Sequence, residues 1–246
     1  MPLLKLVARS SAGLALVVFG IRTAVAADPH LEVPPAAVAE QSRAYSYANL
    51  SDDRALAELA RRGLPYTRID ETVPGVRTPV RLSGPLHGVN IHSALPKEVR
   101  ATTPFEILDA RLALALDDFC EILAHHDVVE VVHFTIYRPN DSSSPEKNGG
   151  LPRHPGGMAI DVGGLRKRGG SFLTVLSDWP SAIGARTCGA GARKILGRKG
   201  RELMSILCEA ADSRLFNVML TPHFNRAHRD HVHLEIKADV KWFLVH

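Results

Sequence analysis

The chain has 246 residues, 45% of them hydrophobic and 23% charged, a balance that excludes a largely disordered or fibrous protein and suits one domain with a sizeable core. Thirty basic residues stand against 26 acidic ones, a formal charge of +4, but three of the basic residues (Lys5, Arg9, Arg22) fall in the first 26 positions. Without these, 27 stand against 26, and a charge of +1 gives no electrostatic case for a nucleic-acid partner.

In residues 1–26, Lys5 and Arg9 precede an apolar run from Ala12 to Ile21, and Ala24-Val25-Ala26 offers a small-residue cleavage site. This is the pattern of a secretory signal peptide, and its apolar core falls short of the roughly 20 residues a membrane-spanning helix needs. An exported chain meets an oxidising compartment, so its cysteines are read as one bridge and one spare. Cys188, in the Gly-rich RTCGAGA loop, is paired with Cys208, while Cys120 sits in a helical pattern as a buried thiol; three reduced thiols are the alternative.

Residues 27–46, with Pro34-Pro35 and an Ala-rich run, predict a flexible lead-in to a domain over 47–246. Ser51, Asp52, Asp53 and the run ALAELARR ending at Gly63 predict a capped helix. Turn signals then alternate with β-prone pieces at 76–82 and 89–92, expected as a hairpin or sheet edge. Thr103-Pro104-Phe105-Glu106 carries the signs of a capping box and predicts the main core helix from there to about His125, with Phe105, Leu108, Leu112, Ala115, Phe119 and Leu123 on one apolar face. His125 and His126, at its end, suit the helix dipole.

The β-branched stretch 128–137 predicts a strand with Val132, Phe134 and Ile136 of one parity, ending in Tyr137-Arg138-Pro139-Asn140. A polar loop over 141–153 leads to His154, and 158–162 and 171–176 are β-prone. Arg166-Lys167-Arg168 is taken as a solvated turn. A second helix is expected over 202–211, then strands over 216–220 and 232–236.

The densest ligand chemistry lies in LTPHFNRAHRDHVHLEIK, with His223, His228, His231 and His233 and with Asp230 beside them. On a strand, His231 and His233 share a face while Val232, Leu234 and Ile236 take the other. Upstream, His154 and Asp161 in RHPGGMAIDVGG can fold onto the same point. Two imidazoles and a carboxylate leave a fourth tetrahedral position open, as in a catalytic zinc site. Gly156 and Gly157 are expected to admit ligand or substrate close to the backbone. His223, beside Phe224, is taken as a bystander.

Arg138 in YRPN, His154-x6-Asp161 and Asp230-His231-Val232-His233 closely resemble the D-Ala-D-Ala metallopeptidase side of the lysostaphin, D-Ala-D-Ala peptidase and hedgehog superfamily. Within it the chain is most similar to the bacterial extensin-like C-terminal domain family, over about residues 50–246, including PVRLSGPLHGV and the ARTCGAG loop. The resemblance implies an α+β fold: a small central antiparallel sheet carrying the zinc site, flanked by helices. It implies Zn2+ held by His154, Asp161 and His233, with His231 or Asp230 as general base, His228 nearby and Arg138 holding or polarising the substrate. Pro152 stands where related peptidases carry a serine. The expected function is an exported zinc peptidase acting on peptidoglycan stem peptides or cross-links; the alternative is a non-catalytic, zinc-containing wall-binding or signalling module.

Overall fold

A computed structural model of the chain describes residues 28–139 and 154–246. The expected signal peptide, the 141–153 loop and Pro152 lie outside the described residues. The first half comprises β1 (Leu31–Glu32), α1 (Ala36–Glu40), α2 (Arg43–Ala48), α3 (Asp52–Arg62), β2 (Tyr66–Arg68), β3 (Pro79–Leu82), β4 (Asn90–Ser93) and α4 (Lys97–Arg100). It continues through β5 (Leu108–Asp109), α5 (Ala110–His125) and β6 (Val128–His133). The second half contains β7 (Ala159–Lys167), β8 (Phe172–Thr174), α6 (Val175–Asp178), α7 (Arg198–Asp212), β9 (Val218–Leu220), β10 (Val232–Glu235) and β11 (Phe243–Val245).

The fold is α+β, but its main sheet is neither small nor wholly antiparallel. Eight strands run β1-β11-β9-β10-β7-β6-β4, with β8 also on β7, and two pairs, β11/β9 and β4/β6, are parallel. A parallel pair needs a long crossover between its strands, and α5 supplies one between β4 and β6. The two β-prone pieces at 76–82 and 89–92 therefore do not form a hairpin with each other. β3 joins a separate sheet ordered β2-β3-β5, and β4 forms an edge of the main one.

The lead-in expectation also fails for the described residues before 47. Ala39 and Ala44 are fully buried, and β1 pairs with β11. Alanine at 39, 44 and 48 provides the small packing face of α1 and α2, the latter lying against α5. In α3 the capping signals hold: Ser51 Oγ accepts the Arg54 N–H and the helix stops at Gly63.

The core helix starts later than its sequence suggests. Thr103 and Pro104 open only a 3₁₀ turn, Pro104–Glu106, after which the chain extends into β5 and Asp109 caps α5. Asp109 wins because its carboxylate accepts from both Arg111 N and Thr78 N, tying β3 to the start of α5. Arg111, 1% exposed, adds an ion pair to Asp109 at 2.8 Å and reaches Asp52 at the start of α3. Instead of one apolar face, thirteen of the sixteen α5 residues are buried, because α2, α3 and α7 cover the sides the sheet leaves open. Even Asp117 and Asp118 are enclosed, and Arg62 of α3 bridges them at 3.0 and 2.9 Å. Cys120 lies on this helix as a buried free thiol, and burial pushes its pKa well up.

β6 is shorter than predicted and bulged. Irregularities against β7 between Val128 and Glu130 and between Val132 and His133 break the simple alternation, so Val128 and Val131 are buried while Phe134 is 40% exposed. β7, at nine residues, is longer than predicted and absorbs part of the basic triplet. Arg166 pairs with Glu130 and Lys167 with Glu202, so neither belongs to a solvated turn. His126 pairs with Glu209 of α7 at 2.8 Å.

Two stability predictions follow from these contacts. The Cys188–Cys208 disulfide joins the Gly-rich loop to α7 across 20 residues of sequence. Loop-closure entropy puts its contribution at about 3 kcal/mol, so reduction should lower the unfolding free energy by that order in denaturant titrations. Glu106 does not complete a capping box. Its carboxylate accepts the Ser93 N–H at 2.8 Å and lies 3.5 Å from His133 Nε2. Burial alone would raise its pKa, but His133 and the Ser93 N–H bring it from 4.5 to about 2. A depressed carboxylate stabilises the fold above its unfolded pKa and loses that contribution as pH falls through the folded one. Glu106→Gln should therefore cost about 1–2 kcal/mol at neutral pH, discounted for partial solvent screening. That deficit should shrink as urea titrations are taken from about pH 5 towards pH 2.

Candidate metal centre

The centre begins with a strand register. In the antiparallel pairing of β10 with β7, His233 lies directly opposite Asp161, which sets their side chains on the same face of neighbouring strands. His233 Nδ1 comes within 3.0 Å of Asp161 Oδ1. Val232, Leu234 and Ile236 are buried on the other parity, as their alternation predicts. β10 is an inner strand, however, so His233 is itself only 3% exposed rather than lining an open cleft.

His154 reaches the same carboxylate from a turn. Its carbonyl accepts the Gly157 N–H at 3.0 Å, and its Nε2 lies 3.2 Å from Asp161 Oδ2. Gly157 closes this turn at φ +63°, and a Cβ there would come within 2.9 Å of Asp109 N. Its smallness thus serves packing against β5, a correction to the expectation that it opens the backbone to a ligand. One ligand atom from each of His154, Asp161 and His233 lies within 4.8 Å of the others, and all three residues are buried. Zinc ligands at about 2.0–2.2 Å in tetrahedral array stand about 3.3–3.6 Å apart, so the group is close to the span of such an ion.

The second nitrogens of the two histidines are engaged in a way that frees the inner ones. His154 Nδ1 donates to the Ile136 carbonyl at 2.7 Å, leaving Nε2 to face Asp161. His233 Nε2 points at Glu235 Oε2, 3.4 Å away, leaving Nδ1 to face the same carboxylate. Metal-binding histidines are commonly oriented by partners of these two kinds. Glu235, 1% exposed, is a member of the site that the sequence reading missed. Its signal was present in HVHLE, where it shares the parity of His231 and His233.

Electrostatics agree with this assembly. Burial would raise the Asp161 pKa, but the hydrogen bonds and charges of His154 and His233 hold it far below the usual carboxylate range. Burial pulls His233 down, and its bonds to Asp161 and Glu235 more than reverse that, so its pKa is raised. A histidine in this setting must give up its proton before it can ligate a cation, which would couple metal binding to pH.

Around the buried trio lie more accessible groups. His231 Nε2 is 3.7 Å from Asp161 Oδ1, and its Nδ1 is 2.9 Å from Asp230 Oδ1. Strict alternation would turn Asp230 away, but β10 begins only at Val232, so the constraint does not reach residue 230. Asp230 and His231 stand in series, with the imidazole on the side of Asp161. The His228 ring is 5.0 Å from that of His231 and 6.3 Å from that of His233, and its Nδ1 pairs with Asn225 Oδ1, which also caps the 3₁₀ turn Arg226–His228. Arg138 approaches the other oxygen of Asp161, with its Nη2 3.7 Å from Oδ2 and its side chain 42% exposed.

His223 stands apart from the group. Its ring is enclosed by Trp179 and the Ala182 N–H, and burial leads the causes that lower its pKa to about 4, as befits a neutral structural histidine.

An α+β domain with a mixed sheet and a buried His/Asp/His group capable of holding a metal is the class defined by fold and site together. The chain belongs to the Extensin-like protein C-terminus family, whose model matches residues 56–244 and so spans every residue of the centre. It matches no curated protein and no solved structure.

Proposed function

We propose that the chain is an exported zinc-dependent peptidase that hydrolyses peptidoglycan stem peptides or cross-links. The observation that carries this reading is the grouping of buried His154, Asp161 and His233 with a half-buried histidine, His231, held by Asp230 at its rim. Structural metal sites close their coordination with a fourth protein ligand, and among the described residues the group contains three. Export is supported by the leader pattern, the disulfide and the absence, among the described residues, of a helix able to cross a membrane.

His154 through Nε2, His233 through Nδ1 and the Asp161 carboxylate would hold the ion. Zinc there supplies Lewis acidity, polarising a carbonyl and acidifying water. His231 Nε2, at the edge of the group, takes a proton from the attacking water and returns it to the departing amine. Asp230 accepts the Nδ1–H of His231 and fixes the ring in the tautomer that leaves Nε2 free. Arg138 carries a planar fork of donors suited to a substrate carbonyl or carboxylate. The residues flanking Asp161 on both sides thus divide proton transfer from substrate orientation.

Metal analysis of the purified chain should find one zinc per molecule, lost in His154→Ala. Affinity measured against a competing chelator should fall as pH is lowered, since protons compete for the histidines. Glu235→Ala should weaken binding by about 10–100-fold, because the partner that orients His233 is gone. Incubation with muropeptides should yield new amine termini. Cleavage should drop by about 10²–10⁴-fold in His231→Ala with zinc retained, and by a smaller factor in Asp230→Asn. A chain that takes up no zinc sinks the reading, whereas a zinc-loaded chain that yields no cleavage products is a binding module.

A further inference from the structure

Phe134 is the one member of its strand's predicted parity that the fold turns towards solvent. Ile136 is buried, whereas Phe134 is 40% exposed, an apolar ring left half open beside the candidate centre. Its position is built rather than incidental. The irregularity between Val132 and His133 immediately precedes it, and bulges of this kind re-aim the side chains that follow. Its backbone N–H then donates to the Asp161 carbonyl at 2.9 Å, which ties residue 134 to the strand position carrying the carboxylate.

The ring itself is seated on Gly163. A Cβ at that position would fall 2.8 Å from the Phe134 ring, so the absence of a side chain at 163 is what lets the ring lie against β7. From this seat it meets the His231 ring edge to face, at 5.9 Å between centroids and 73° between planes. Phe134 thus adjoins His231, which approaches Asp161 Oδ1, whereas Arg138 approaches Oδ2. An exposed apolar surface adjoins the proton-transferring histidine, and an exposed cation sits by the opposite carboxylate oxygen.

We propose that the exposed face of Phe134 is a substrate subsite, taking an apolar side chain of the residue next to the cleaved amide on the His231 side. The proposal rests on the peptidase reading above and adds a preference to it. An apolar group laid on this ring leaves water together with the ring surface it covers, while an anionic group there would lose hydration against the negative face of the ring. The substrate class is a peptide that presents an apolar group towards Phe134.

Two small zinc chelators that differ only in their tails test this: acetohydroxamate and phenylacetohydroxamate, titrated calorimetrically into the zinc-loaded chain. The phenyl-bearing probe should bind about tenfold more tightly, as expected for covering an aromatic face with an apolar group. In Phe134→Ala that preference should fall below about twofold while acetohydroxamate affinity and zinc content stay unchanged, and Phe134→Leu, which restores apolar surface, should recover most of it. Equal binding of the two probes to the native chain overturns the subsite, as does a preference that survives in Phe134→Ala. A zinc-loaded chain that binds neither probe overturns the subsite as well, whereas failure of zinc to load removes the metal reading on which the subsite stands.

Discussion

A carboxylate buried in a sheet is tolerated only where other groups compensate its charge, and Asp161 is the point at which this fold meets that requirement. Left alone at that depth it would protonate or destabilise the chain. It is instead approached by His154, His233, His231 and Arg138, which arrive from a turn, a neighbouring strand, the lead-in to that strand and the far end of a bulged segment. Each of these segments is placed by backbone contacts that have nothing to do with chemistry. The β10 register sets His233, and the Gly157 turn against Asp109 sets His154. The irregular continuation of β6 sets Phe134 and Arg138. The concentration of histidines is thus a consequence of sheet geometry as much as of composition.

Depth is graded across the centre. The three residues able to hold an ion are almost fully enclosed, and those suited to handling protons or substrate are progressively more open: His231 at 16% exposure, Asp230 at 31% and Arg138 at 42%. Such a gradient keeps the strongest electrostatic interactions where solvent screens them least and leaves the more open groups in contact with the bulk. Rigid support lies behind the site rather than around it. The ion pair of Arg111 with Asp109 joins α3, β3 and α5, and the Asp109 backbone in turn accommodates the turn that carries His154.

Much of the site was legible in the sequence because its signals are local. His231 and His233 stand two apart with an apolar alternation between them, and His154 and Asp161 share a short glycine-rich segment. The disulfide pairing and the ends of α3 were equally readable. What escaped depends on partners distant in sequence. Thr103 and Pro104 carry every mark of a helix start, yet Asp109 takes that role because Thr78, 31 residues upstream, donates to it. The strand parity of 132, 134 and 136 failed because bulges arise from mismatch with β7, which the strand's own residues do not encode. Alanine-rich residues 36–48 resemble a linker until α5 is present for them to cover. Glu235 went unnoticed for a different reason, since a glutamate near the end of a strand is ordinary unless the burial of that strand is known.

The pairing of His233 with Asp161 joins residues 72 positions apart, and His154 must be brought in from a third segment. Contacts of that range carry the entropic cost of closing a long loop and depend on the fold as a whole. A nascent or unfolded chain consequently offers a cation only scattered, weakly competing side chains. The capacity to gather a cation at this point is thus a property of the closed sheet and of no single segment within it.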